Sequence, residues 1–493
     1  MTIRNLLGSV PKRHEIEEAL ASREVAGLDY DSRRLGKDFL FFAFAGQHAD
    51  GRAFARQALE KGTLAIISEL ECPAEIDPAV WIQVEHGRRA LATASRVFTG
   101  APDDRIGIAA ITGTNGKTTT SYVLDSILAT AGKTTALIGT IGYHVAGDLR
   151  SAVNTTPESL DLYRILNELE ERGGTHATME VSSHALALGR VHGVHFHTAV
   201  FTNLTQDHLD FHGTMEEYFA AKQMLFDRPD LEYAVVNWDD PAGRRLRMNA
   251  STKLISYGVS KDASMRACGV ESSFHGLRFE IRFEGARIPI ESRLTGHINV
   301  SNILAACGAA RSFGIGWDEI VRGVAACTGV PGRFERVDEG QPFLVVVDYA
   351  HTDDALRNTI RVARELGPKR VLTLFGCGGD RDRKKRPLMG SAAGELSDFV
   401  VLTSDNPRSE DPLGIINDAL VGLRRHDTPH LIEVDREKGI RAIVAEAGAG
   451  DIVILAGKGH ETYQILQDKR IPFDDRETAR RALRSVGYGG AGK

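Results

Sequence analysis

A run of apolar and small residues at 106–112 leads directly into Gly113-Thr114-Asn115-Gly116-Lys117-Thr118-Thr119-Thr120. No other stretch narrows the fold so far. A strand without polar alternation is buried on both faces, as in α/β sheets covered by helices on each side. Glycines behind it let backbone N–H groups turn inward around phosphate oxygens, and the N-terminus of a following helix adds a favourable dipole. Lys117 brings a cation to the β/γ-phosphates, and the Thr118 hydroxyl suits Mg2+. The loop therefore reads as an ATP phosphate cradle. The common pattern G-x-x-x-x-G-K-[ST] wants glycine where this chain has Ile111, so the loop is a shorter variant. Motors, kinases and ligases all use such loops, and the reaction stays open at this point.

A chain of 493 residues exceeds one ordinary core. Turn-rich sequence near Ala101-Pro102 and again at Val330-Pro331-Gly332-Arg333 divides it into three expected domains, 1–101, 102–330 and 331–493. The first reads as a small α/β unit. The second alternates strands with helices: a helix at 118–131 ended by Gly132, a strand at 134–139, then a helix capped by Thr156 with Pro157 in its first turn and ended by Gly173. Strands follow at 177–181 and 199–203. From 253 to 289 the helices stop, and Leu277, Phe279, Ile281 and Phe283 alternate as in an antiparallel insertion or sheet edge. The third domain alternates again, with strands at 343–347, 370–375, 399–403 and 452–456 and a helix at 354–366, in a Rossmann-like manner. The expected class is α/β, with a central, mostly parallel phosphate-loop sheet.

A net charge of -6, and no basic block longer than 383–386, give no electrostatic reason to expect nucleic acid. No stretch reaches the ~18 apolar residues of a membrane span. No signal peptide is evident, and five cysteines without a C-x-x-C pair fit a reducing cytoplasm.

Two acidic or histidine-bearing clusters follow buried strands, where open α/β sheets bind ligands. One is Met179-Glu180-Val181-Ser182-Ser183-His184, in which Glu180 suits Mg2+. The other runs from Thr202-Asn203 through Asp207-His208 to Asp210 and His212. Behind it a capping box, Thr214 with Glu217, starts a helix that carries Lys222.

In this order the segments 113–119, 180–184, 203–208, Lys222, 299–305 and Asp348-Tyr349-Ala350-His351 resemble the Mur ligase family, the ATP-dependent amide-forming enzymes of peptidoglycan precursor synthesis. The resemblance implies domains for a UDP-sugar, for ATP and for an incoming amino acid, in chain order. It implies ATP contacts from Gly113, Thr114, Asn115, Gly116, Lys117, Thr118, Thr119, Asn302 and Arg333, with His351 acting alongside Arg333. Lys117, His208 and Lys222 would be catalytic, and Thr118, Glu180, His208 and a carbamylated Lys222 would hold Mg2+. By the same resemblance Ser32, Asn154, Thr155, Thr156, Ser182 and Arg190 contact the UDP-muramoyl dipeptide.

The segment Asp405-Asn406-Pro407-Arg408 resembles that of members adding meso-2,6-diaminopimelate to the D-glutamate of UDP-N-acetylmuramoyl-L-alanyl-D-glutamate, with Arg381, Gly457 and Glu461 completing the amino-acid contacts. Arg408 can grip the carboxylate that distinguishes diaminopimelate from lysine. A lysine-adding member, folylpolyglutamate synthase and a phosphate-loop switch are the alternatives. Two positions depart from the family pattern: Leu188, where glutamine is common, and Asp353, where proline is usual. The expected protein is a monomer.

Overall fold

The computed structural model describes residues 1–46 and 50–489. The chain forms two compact units. One contains Met1–Arg266, Phe283–Gly285 and Asn302–Gly323; the other contains Ala267–Arg282, Ala286–Ser301 and the chain from Val324 onward.

The first unit begins with four parallel strands, β1 Gly27–Asp29, β2 Phe39–Phe42, β3 Ala65–Ser68 and β4 Trp81–Gln83, in the order β1-β2-β3-β4. Strand alternation sends Leu40 and Phe42 to one face, against Leu91 and Ala94 of the helix Gly87–Phe98. Phe41 goes to the other, with Ala55 and Ala58 of the helix Ala55–Glu60.

Next come β5 Gly107–Thr112, β6 Thr135–Ile138, β7 Tyr143–Val145, β8 Asp148–Arg150, β9 His176–Glu180, β10 Thr198–Phe201, β11 Tyr233–Asn237 and β12 Lys253–Gly258, in spatial order β12-β11-β10-β5-β9-β6-β7-β8. All pair in parallel except at the β6-β7-β8 edge. β5 is buried along nearly its whole length, as its uniform apolar run requires. The chain leaves β5 for β6 on one side and returns to β10 on the other, so the sheet's switch point lies at the carboxyl end of β5. The phosphate loop begins there.

Two local expectations need correction. The helix expected to be capped by Thr156 starts later, at Ser159, with Glu158 in the cap position and no side-chain cap bond. Thr156 is engaged elsewhere: its hydroxyl donates to the Glu180 carbonyl at 2.9 Å and accepts from the Ser182 N–H at 3.0 Å. Residues 253–258 do not open an antiparallel segment, because β12 continues the parallel pairing through β11. Alternation begins beyond it, in β13 Met265–Ser273, β14 Gly276–Phe283 and β15 Ala286–Ser292, which complete an eleven-stranded sheet. In β14, Leu277, Phe279, Ile281 and Phe283 are buried while Arg278 and Arg282 are exposed.

The second unit holds a six-stranded sheet ordered β16-β17-β21-β18-β19-β20: β16 Glu335–Val337, β17 Leu344–Asp348, β18 Val371–Phe375, β19 Phe399–Thr403, β20 His430–Glu433 and β21 Ile452–Ala456. Only β16 pairs antiparallel. Asp353 opens the helix Asp353–Glu365 behind the Thr352 cap, where an acidic residue complements the helix dipole. A hairpin, β22 Tyr463–Leu466 with β23 Lys469–Pro472, stands beside the sheet as a separate pair. Here the switch point lies between β18 and β21, and the loops after β18, β19 and β21 share that end of the sheet.

Candidate active site

Two constellations result, one at each switch point. In the first unit, Gly113 and Gly116 take φ values of 149° and 85°. A Cβ on Gly113 would lie 1.9 Å from the Thr202 hydroxyl, and one on Gly116 would lie 2.3 Å from Oδ1 of Asn302. Both positions therefore require glycine. The loop is tied to the end of β10: the Asn115 N–H donates to Oδ1 of Asn203 at 2.9 Å, and the Asn115 carbonyl accepts from the Thr202 hydroxyl at 2.6 Å and from Nδ2 of Asn203 at 3.1 Å. Lys117 curls back over it, donating to the carbonyls of Gly113 and Thr114, each at 2.8 Å. The result is a rigid concave turn at the start of the helix Lys117–Thr130, suited to an anion.

Glu180 ends β9 and is fully buried. Its carboxylate accepts from the Thr118 hydroxyl (3.0 Å), the Thr140 N–H (3.0 Å) and the Thr140 hydroxyl (3.1 Å). A Cβ on Gly139 would come 2.2 Å from this carboxylate, so close approach of that backbone depends on glycine as well. Thr140 gave no sequence signal, since a threonine between two short apolar runs matches no motif.

Lys222 lies on the helix Met215–Phe226, whose capping box from Thr214 and Glu217 forms as expected. Its side chain is buried, with Nζ 4.5 Å from the Tyr218 ring centroid. Burial, and then the charge of Lys117, depress its pKa well below the usual lysine value; Asp207 opposes them. The Tyr218 hydroxyl sits 3.2 Å from that of Thr114, joining this helix to the loop.

His208 has a left-handed backbone, φ 53°, ahead of the helical turn Leu209–His212, and its ring is 4.8 Å from that of His184. Burial lowers its pKa, Asp207 opposes this, and Lys117 and Lys222 lower it further. Burial and His208 push His184 down to about 4. Lowering a pKa in this way favours the neutral imidazole, which keeps a lone pair for a ligand.

Among the described residues no three His, Cys, Asp or Glu side chains form a ready metal cluster. The donors present are instead hard oxygens, Thr118 and Glu180, beside a phosphate-type loop. That set fits Mg2+, which is usually held by one or two carboxylates together with substrate phosphates.

The expected contacts to a muramoyl dipeptide gather near Glu180. The Thr155 and Thr140 hydroxyls are 3.1 Å apart, the Asn154 carbonyl accepts from Tyr143, Ser182 caps the helix Ser183–Ala187, and Arg190 donates to the Thr156 carbonyl at 3.2 Å. Arg190 and Arg88 both pair with Glu158, at 2.9 and 3.5 Å. Leu188 is the C-terminal cap of the helix Ser183–Ala187. Ser32 is buried in the turn after β1, where its carbonyl accepts from Lys61. No described contact joins it to the Asn154–Arg190 group.

In the second unit, Arg408 has φ 51° and donates to the Gly379 carbonyl at 2.7 Å. Glycine at 379 permits this packing, since a Cβ there would stand 1.9 Å from the Pro407 carbonyl. Asn406 donates to Glu461 at 2.9 Å. Asp405 is buried beside Gly457, and burial raises its pKa against the pull of Lys458 and Arg436. Arg381 lies exposed on the loop after β18. That loop is fastened to the next one by Ser409 donating to Asp380 and by the Asp380 N–H donating to Glu410, each at 2.6 Å. Arg333 also belongs to this unit; its guanidinium lies 5.0 Å over the Tyr349 ring, and its buried Nε has no hydrogen-bond partner among the described residues.

A nucleotide-type loop with a carboxylate and a deprotonation-prone lysine at one switch point, and a cluster of Arg408, Asn406 and Glu461 at another, fit an ATP-dependent ligase of the acid–amine class. Family models agree. Residues 24–99 match "Mur ligase family, catalytic domain", 111–310 "Mur ligase middle domain" and 332–459 "Mur ligase, glutamate ligase domain". The chain is 62% identical over 492 residues to the UDP-N-acetylmuramoyl-L-alanyl-D-glutamate--2,6-diaminopimelate ligase of Solibacter usitatus, with 99% of each chain covered. It is 44% identical over 468 residues to the ligase of the same name from Geobacillus thermodenitrificans, covering 94% of this chain and 95% of that one. A solved structure of a ligase of that name superposes with a TM-score of 0.74 at 34% identity, covering 99% of both. The chain belongs to the Mur ligase family.

Proposed function

We propose that this protein joins meso-2,6-diaminopimelate to the D-glutamate of UDP-N-acetylmuramoyl-L-alanyl-D-glutamate at the expense of ATP, in peptidoglycan precursor synthesis. The observation that carries this reading is the gathering of Arg408, Asn406 and Glu461 at one end of the second sheet, where a cation, an amide and an anion match an amino acid bearing carboxylates and ammonium groups.

A carboxylate does not react with an amine at neutral pH. The D-glutamate side-chain carboxylate first attacks the γ-phosphorus of ATP, giving an acyl phosphate and ADP. The amine of diaminopimelate then adds to the acyl carbon, loses a proton and expels inorganic phosphate, which leaves the amide. The first step brings two anions together, and Lys117 and the loop N–H groups offset that repulsion. Thr118 and Glu180, with His208 and a carbamylated Lys222, would hold Mg2+, which supplies further positive charge to the phosphates when bound. Carbamylation needs a neutral amine, and the buried position of Lys222 favours that form. Asn302 and Arg333 contact the nucleotide in this reading, while Ser32, Asn154, Thr155, Thr156, Ser182 and Arg190 contact the UDP-muramoyl dipeptide. Arg381, Asp405, Asn406, Pro407, Arg408, Gly457 and Glu461 contact diaminopimelate.

The same reading divides the chain into a UDP-sugar domain at 1–101, an ATP domain at 102–330 and an amino-acid domain at 331–493, and makes the protein a cytoplasmic monomer. No helix among the described residues is long and apolar enough to cross a membrane. The test is phosphate release with diaminopimelate, lysine and ornithine as competing amines, in the presence of UDP-muramoyl dipeptide. Release that depends on diaminopimelate and the dipeptide is expected. ATP turnover indifferent to both would end the ligase reading, and equal use of lysine would end the assignment of the amine.

A further inference from the structure

Lys458 is fully buried in the loop after β21, and its ammonium group has a particular set of neighbours. Nζ donates to Oδ1 of Asn406 at 3.2 Å and to Oε2 of Glu461 at 3.1 Å, and it lies 5.6 Å from the Tyr463 ring centroid. Asn406 and Glu461 are themselves joined, Nδ2 to Oε2, at 2.9 Å. Oδ1 of Asn406 also accepts the Ile465 N–H at 2.9 Å. The three side chains close a small ring of polar contacts.

Two consequences follow from donor and acceptor chemistry. Two donors on Oδ1 decide which end of the Asn406 amide is oxygen, so its NH2 must face Glu461. Two donors on Oε2 of Glu461 leave Oε1 as the oxygen without a hydrogen bond among the described residues. Burying an ammonium group is costly unless its contacts repay it, and here they are both to side chains assigned to the amino acid.

We propose that Lys458 is a positioning residue for the amine substrate: it orients the Asn406 amide and the Glu461 carboxylate, so that Oε1 of Glu461 faces an ammonium group of diaminopimelate. This rests on the functional reading above, and it adds a residue that need not touch the substrate itself. A chain without the lysine keeps both recognition groups and loses their fixed arrangement. Amine affinity suffers, while activation of the carboxylate by ATP in the other unit does not.

Steady-state kinetics of the full chain test this, with the wild type measured first. Lys458→Met is expected to raise KM for diaminopimelate by ~10-fold or more with kcat within about 3-fold, and to leave KM for ATP and for the UDP-muramoyl dipeptide unchanged. Lys458→Gln, which keeps a donor of smaller reach, falls between the two and serves as the readout if the methionine variant does not fold. In a Glu461→Gln background, Lys458→Met is expected to add less than about 2-fold in the same KM, because the two act as one unit. A diaminopimelate KM at the wild-type value in the folded variants would overturn the proposal. So would a parallel rise of all three KM values with a lowered melting temperature, which marks a purely structural ion pair. Absence of diaminopimelate-dependent turnover in the wild type removes the functional reading itself, and is seen before any variant is made.

Discussion

The Thr118 hydroxyl donates to the Glu180 carboxylate across 3.0 Å, so the first helical turn after the phosphate loop is fastened to the end of a neighbouring strand. Thr140 supplies two further donors to the same carboxylate. Glu180→Gln replaces the charged acceptor of three donors with a neutral amide, and the Thr118 and Thr140 hydroxyls must turn to accept from its NH2. We expect a loss of about 1–3 kcal/mol in stability and a fall in ATP-dependent ligation of ~100-fold or more. Thermal unfolding and phosphate release measure the two. Unchanged turnover would remove Glu180 from the phosphate site.

Lys222 gives a prediction whose sign depends on pH. Its folded pKa is depressed by burial, so between that value and the ordinary lysine range the unfolded chain binds more protons than the folded one. Stability attributable to this group therefore increases with pH across that window, and at neutral pH the lysine opposes folding. In CO2-free buffer, Lys222→Met is expected to raise the midpoint of denaturant unfolding near pH 7, to narrow that gain toward pH 10, and to abolish ligation. Added bicarbonate should stimulate the wild type and leave the variant inactive. A variant less stable than wild type at pH 7 would contradict the burial argument.

Arg408 carries the predicted choice of amine. In the proposed reading, Arg408→Ala removes the partner of the carboxylate that lysine lacks. Catalytic efficiency with diaminopimelate should fall ~100-fold, equivalent to a few kcal/mol, while that with lysine changes little or rises. Competition between the two amines, followed by mass spectrometry of the product, reads this ratio. Equal losses for both would mean that Arg408 holds a group they share.

What could be read from the chain follows from how local each signal is. The phosphate loop and the Thr214–Glu217 capping box are contiguous, and both form as the residues suggest. Strands β19 and β21 are buried apolar runs, and their limits coincide with the expected ones. β20 carries no sequence signal, because it is a mostly exposed edge strand with no burial pattern. Thr156 reads as a helix cap, since Ser, Thr and Asp bond any nearby backbone donor; its bond to the Ser182 N–H depends on a strand distant in sequence. Thr140 and Lys458 became visible only when the fold brought them to Glu180 and Glu461.

The end of β21, which introduces the loop carrying Lys458 and Glu461, is itself held by a buried ion pair. Arg436 donates through Nε (2.8 Å) and Nη2 (2.6 Å) to Asp475, and Nη2 also reaches the carbonyl of Ala456, the last residue of the strand, at 2.9 Å. Both side chains are fully enclosed. Asp475→Asn leaves the guanidinium charge buried without its counter-ion, so we expect a loss of about 3–5 kcal/mol in unfolding free energy. Replacing both at once, Arg436→Met with Asp475→Leu, should recover most of it, because two apolar side chains incur no charge desolvation. Denaturant titration of the single and double variants measures the difference. A single variant within about 1 kcal/mol of wild type would show that water or a neighbouring carboxylate compensates the arginine, and that the pair does not anchor this end of the strand.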